Sequence, residues 1–206
     1  LNMKKRLIVV PGCRTGGVLS SLIALLNSTF VESYDIHLFV MNTYGEQLQS
    51  ELAKFSIGKN LGTSLLNANV VNSSGIRKLI LILFKLILQM PFLGKLFSNC
   101  IEISTIRSIE KDNYDCVISF QESASLPFVA KFSNPNKIAW IHCDYSRIFT
   151  NKMYEFAVFS KYCKIVTVSE YTRVSFCKLL PSLESRVVVI YNIMDSSAII
   201  QKSKEQ

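Results

Sequence analysis

Lys137-Ile138-Ala139-Trp140-Ile141-His142 and Lys164-Ile165-Val166-Thr167-Val168-Ser169 are two apolar, β-branched-rich runs of strand length, with enough chain between them for one helix. Each breaks off in polar residues, as strands do at a sheet edge. Residues 114–120 and 187–191 repeat the pattern on either side, and helix-length stretches at 124–132, 151–162 and 171–180 fall between the runs. Such alternation marks an α/β domain, in which crossover helices cover a parallel sheet.

The opening follows the same grammar. Residues 5–10 form a continuous apolar run stopped by Pro11-Gly12, after which Val18, Leu22, Leu25 and Leu26 recur at helical spacing. Residues 34–41 supply a second strand, with a turn at 42–45, completing a βαβ unit. Between 46 and 72, polar residues with Gly58, Asn60 and Gly62 interrupt every periodic run, and a third strand is expected between 62 and 71. The expected fold is α/β: a Rossmann-like, doubly wound, mostly parallel sheet of about seven strands, with helices on both faces and ligands at the carboxyl ends of the strands.

Residues 76–90 predict an apolar helix. Ile76, Leu79, Ile80, Leu83, Ile87 and Met90 line one face, beside a narrow polar wedge of Arg77, Lys78, Lys85 and Gln89. A cationic wedge beside a broad apolar face suits either the surface of the inner membrane or a helix packed inside the protein.

The chain is 49% hydrophobic and 18% charged, with a net charge of +8, so its field favours anionic partners. The densest cationic clusters, Lys4-Lys5-Arg6 and Arg77-Lys78, carry no interleaved aromatics that could stack bases, and nucleic acid is not the expected partner. Cys13, Cys100, Cys116, Cys143, Cys163 and Cys177 form no CxxC pair and read as reduced, mostly buried thiols. The apolar run after Arg6 is too short for a signal peptide, so a cytoplasmic protein is expected, peripheral on the cytoplasmic face of the membrane if the apolar helix meets lipid.

Gly12, Gly16 and Gly17 sit where the first strand hands over to the first helix, a natural phosphate site. Their spacing departs from G-x-G-x-x-G and no Lys-Ser or Lys-Thr follows Gly17, which disfavours a dinucleotide enzyme and a P-loop NTPase. The plainer alternative is a tight turn. At the end of the 137–142 run stand His142, Cys143, Asp144 and Tyr145. His142 is suited to binding a sugar hydroxyl or shuttling a proton, and equally to a structural role. Ser169 and Glu170 follow the 164–168 run, where capping the next helix is the simplest role.

The order of these features, with Val189-Ile190-Tyr191-Asn192-Ile193-Met194-Asp195 after them, resembles the N-terminal domain of retaining GT-B glycosyltransferases of the family 4 type. That family builds capsular and other cell-surface polysaccharides in bacteria. The resemblance implies Gly16 and Gly17 at the donor pyrophosphate and His142 as catalytic contact to the donor sugar. Arg14, Asp144, Tyr145, Ser169 and Glu170 become candidates for acceptor or cleft contacts. Ile193 stands where the family often has glycine.

The resemblance further implies an acceptor-side domain over 3–195, the start of an inter-domain linker over 196–206, and a donor-binding domain absent from the chain. The fragment alone is then expected to be inactive. The partners implied are a nucleotide-sugar donor and a glycan or lipid-linked acceptor. No metal or other cofactor is expected, since no Asp-x-Asp occurs. Two other readings are a non-catalytic glycan- or protein-binding module and another Rossmann-type enzyme such as an epimerase, for which this sequence offers neither a helical Tyr-x-x-x-Lys pair nor a dinucleotide loop.

Overall fold

The computed structural model describes residues 3–12, 16–41, 56–58 and 74–193. Seven strands among these residues form one sheet: β1 (Lys4–Val10), β2 (Tyr34–Val40), β3 (Ser56–Gly58), β4 (Cys116–Ser119), β5 (Lys137–Ile141), β6 (Lys164–Thr167) and β7 (Val187–Val189). Their order is β3-β2-β1-β4-β5-β6-β7, and every pairing is parallel. The direction of winding reverses between β1 and β4, the switch point at which open α/β sheets bind ligands.

Parallel strands must bury both faces, and the side-chain alternation does so here. Leu7, Val9, Val117, Ala139, Ile141 and Ile165 join one core cluster, while Ile8, Val10, Leu38, Val40 and Phe120 join the other. The second is covered by α1 (Gly17–Leu26) through Leu22 and Leu26. The first is covered by the end of α3 (Pro91–Glu110), then α4 (Ser125–Ala130), α5 (Lys152–Phe159) and α6 (Glu170–Leu179), through Ile106, Phe128, Phe159 and Phe176. Phe159 lies at the centre of an aromatic group, with ring centroids 5.3 Å from Tyr145, 6.2 Å from Tyr162 and 4.9 Å from Phe176.

The third strand among the described residues precedes the stretch between 62 and 71 where one is expected from sequence, and that stretch lies outside the described residues. The strand is Ser56–Gly58, pairing with His37, Leu38 and Phe39, and three residues are too few to carry a periodic signature. Residues 59–73 lie outside the described residues, as does the turn expected at 42–45. The apolar helix is α2 (Gly75–Gln89), and α3 follows it after Met90 without having been anticipated. Pro91 sets the boundary, because the residue before a proline is driven out of the helical region, and Met90 is extended at φ −72°, ψ 125°. The axes of α2 and α3 bend by 112° there. A Cβ on Gly94 would lie 2.3 Å from the Leu88 carbonyl oxygen, so only glycine permits so close an elbow.

Lys137 is a buried lysine. Its ammonium donates to the carbonyls of Phe132 at 2.7 Å and Asn134 at 2.8 Å, and desolvation lowers its pKa. It pins the turn that feeds β5. Phe159→Ala, which empties the aromatic centre, is expected to cost about 3–5 kcal/mol in urea unfolding with the sheet retained by circular dichroism.

Candidate functional site

The carboxyl edge divides into a half whose polar groups are already engaged and a half whose groups are not. Strand parity decides which residues fall where. Ala139 and Ile141 point to the α3–α6 side, so Trp140 and His142 lie on the α1 side. There the His142 ring stands 4.9 Å from the Phe120 ring, and Phe120 in turn stands 4.9 Å from Trp140. Both ring nitrogens of His142 and the indole nitrogen of Trp140 are buried without a hydrogen-bond partner among the described residues.

Glu122 holds this arrangement from below. Its buried carboxylate accepts the backbone N–H of His142 at 2.8 Å, fixing the chain as it leaves β5. The turn carrying Glu122 is cross-braced: Ser125 Oγ donates to the Gln121 carbonyl at 2.7 Å, and the Ser119 hydroxyl donates to Ser125 Oγ at 2.9 Å. Ser123 has φ 148°, a strained value for a side-chain-bearing residue, and such strain concentrates at functional turns. Burial holds the His142 pKa below the usual histidine range, and the nearby Glu122 carboxylate and Phe120 carbonyl offset this only in part. His142 is therefore a neutral imidazole at pH 7, with one donor and one acceptor nitrogen. Burial, then the Glu122 carboxylate, pushes the Cys143 thiol up to about 12, which removes it as a nucleophile.

The α1 N-terminus completes the unengaged half. Gly16 precedes the helix in extended backbone, no side chain among the described residues caps its amides, and a Cβ at Gly16 or Gly17 would meet nothing within 4 Å. Neither glycine is required by packing among the described residues, and the turn at 13–15 lies outside them. Beyond β7 the chain returns to this helix: Ser21 Oγ donates to Asn192 Oδ1 at 2.8 Å. Arg14 and Asp195 lie outside the described residues.

The other half is occupied by its own structure. Asp144 accepts from Ser146 N at 3.1 Å, Ser146 Oγ at 2.8 Å, Tyr171 at 3.3 Å and Ser175. Tyr145 is turned into the core, its hydroxyl donating to Glu155 at 2.6 Å. Ser169 Oγ caps α6 by accepting Thr172 N–H at 3.1 Å, and Glu170 is exposed with Arg173 at 3.6 Å. Of the residues expected at a cleft, the structure gathers Gly16, Gly17 and His142 on one side and holds Asp144, Tyr145 and Ser169 in bracing roles. Glu122 and the Trp140 indole were missed, though a polar run directly after a buried strand was the available signal.

No protein-family model and no curated protein matches the sequence. Solved structures do match. Anabaena HepE, solved with UDP and glucose, superposes with a TM-score of 0.60 at 14% identity over 100% of this chain and 50% of that one. HepE with UDP-glucose gives 0.59 at 13% identity over 98% of this chain and 49% of that one. A glycosyltransferase from Rickettsia africae gives 0.55 at 16%, again over 98% and 49%. The chain has the fold of one half of these proteins. It spans about half their length, and at such identity the likeness establishes the α/β, Rossmann-like architecture alone.

Two titrations test the division of the edge. Hydrogen bonds from Ser175 and Ser146 hold the Asp144 carboxyl at about 2, against 3.8 in its absence. The unfolded chain binds the proton first as pH falls, so this stabilisation is full above pH ~4 and disappears toward pH 2. Unfolding midpoints of the wild type and Asp144→Asn are accordingly expected to differ at pH 6 and to converge near pH 2. The His142 imidazole signal, followed by NMR, is expected to titrate below the usual histidine range and lower still in Glu122→Gln, which removes the favourable charge.

Proposed function

We propose that the chain is the N-terminal, acceptor-side domain of a retaining glycosyltransferase of the GT-B, family 4 type. The full-length enzyme transfers a hexose from a nucleotide-sugar donor to a cell-surface glycan or lipid-linked acceptor. The observation that carries this reading is the His142 ring, neutral and with both nitrogens unpartnered among the described residues, at the carboxyl edge of a fold whose solved likenesses include one bound to UDP-glucose. A buried imidazole with nothing to bond is costly unless a ligand supplies the partner.

The chemistry follows from what each group can do. The first-turn amides of α1 and its dipole favour an anion, and the two glycines leave room for a diphosphate to approach. β4 separates β1 from β5, so the α1 entrance and His142 are two strand spacings apart, about 10 Å. That separation is comparable to a pyrophosphate with its sugar. His142 then meets a hydroxyl of the donor sugar as the bond from the anomeric carbon to the phosphate oxygen breaks. The acceptor hydroxyl oxygen bonds to the same face of the anomeric carbon and gives its proton to the departing phosphate oxygen, and the nucleoside diphosphate leaves. The contribution of this half is positioning and charge stabilisation, consistent with a protonated Cys143.

In this reading the base and ribose are held by a second domain, and residues 1–206 alone transfer nothing. Full-length protein is to be assayed with a panel of sugar nucleotides and a membrane extract as acceptor, beside His142→Ala and the 206-residue chain. Transfer is expected only in the full-length protein, with kcat reduced about 100-fold in His142→Ala. Folded full-length protein that transfers no sugar from any donor would sink the proposal in favour of a glycan- or protein-binding module.

A further inference from the structure

The second half of α3 packs on the sheet, with Ile106 in the core and Glu102 paired with Lys131. The first half does not. Over residues 91–100 only Gly94 is buried, against the backbone of α2, and these ten residues carry the helix about 15 Å beyond its packed segment. α2 folds back on this extension through Leu81, which is buried, and Phe84, whose ring meets Phe97 edge-on at 5.5 Å. The stripe that the sequence marked as the apolar face of α2 is therefore the outer one. Ile76 is 78% exposed, Leu83 53% and Phe92, just past the bend, 79%, with Leu79, Met90 and Leu96 among the other exposed apolar residues. A contiguous apolar surface of this kind on a soluble domain marks an interaction site.

We infer that the α2–α3 elbow docks on an anionic lipid bilayer, with its outer apolar side chains among the acyl chains and its cations at the headgroups. Charge selects this occupant. Every charged residue from 74 to 101 is cationic: Arg77, Lys78, Lys85 and Lys95. None of the four forms an ion pair among the described residues. Shape agrees, since the apolar residues stand on the outside of a bent, projecting pair rather than in a groove, and a fluid surface conforms to a projection. Among the described residues no single helix is long and apolar enough to cross a membrane, and α2 with α3 reaches that length only as a pair bent by 112°; the bend and the cations beside the apolar face suit a position in the interface rather than a span. The inference stands independently of the reading of the cleft.

The test is co-sedimentation of the 206-residue chain with vesicles of phosphatidylcholine alone and of phosphatidylcholine with 30% phosphatidylglycerol, at low and high salt. Binding is expected to the anionic vesicles and to weaken with salt. Lys78→Glu with Lys85→Glu is expected to weaken it at least about twenty-five-fold, at roughly fivefold for each lysine near the surface. Leu83→Glu with Leu96→Glu is expected to abolish it while leaving the thermal midpoint unchanged, because both positions are exposed. Tryptophan placed by Phe92→Trp is expected to be quenched by brominated acyl chains. Failure to bind anionic vesicles, equal binding to both vesicles, or a dimer in sedimentation velocity that Leu83→Glu dissociates without any vesicle binding would each overturn the inference.

Discussion

The burial of both faces of a parallel sheet is the constraint on which the rest depends. It forces β1, β4 and β5 to be apolar on alternate residues in both directions, and it requires helices above and below. It also fixes where side chains point. Ala139 and Ile141 must fill the side shared with α4–α6, so Trp140 and His142 have no choice but the α1 side. A shift of one residue in β5 would move the imidazole to the opposite face and leave the α1 entrance without it. The candidate site is thus a consequence of strand parity, and Glu122 supports it by holding the first backbone amide beyond β5.

The same edge illustrates how capping sorts functional from bracing residues. Asn151 caps α5 and Ser169 caps α6, while Asp144 closes the short helical turn at Tyr145–Arg147. Each of these side chains accepts from an amide of its own element, and Asp144 also from the hydroxyls of Ser146, Tyr171 and Ser175. Among the described residues α1 has no such cap. An uncapped helix beginning at the switch point, on the same side of the sheet as an imidazole without partners among the described residues, leaves that side of the edge with hydrogen-bonding capacity to spare. The engaged half is the frame that holds it open.

The repeated strand-helix grammar from residue 114 onward was legible because each strand there is buried on both faces and each helix is amphipathic. α3 was not, and the reason is physical. Its two halves have different environments, one packed through Ile106 and one projecting beside α2, so no single stripe runs its length. β3 was not anticipated because a three-residue strand has no period to read. At the site, His142 and the two glycines stood out by residue type, but Tyr145 and Asp144 drew attention for the same reason and serve the frame instead. Type does not reveal direction; parity and capping do.

Gly94 is the residue at which fold and surface meet. Its missing side chain lets α3 start against the last turn of α2, and Pro91 ensures that the two helices cannot merge into one. A straight helix would need the exposed apolar stripe of α2 to continue into α3 with one orientation. The 112° bend instead turns the outer faces of both limbs, with Met90 and Phe92 at the apex, into a single convex surface. Because α3 is anchored at its far end by Ile106, that surface is held at a defined position relative to the sheet and hence to the edge where His142 lies. The geometry of the elbow therefore sets the orientation in which the domain can meet any surface that covers it.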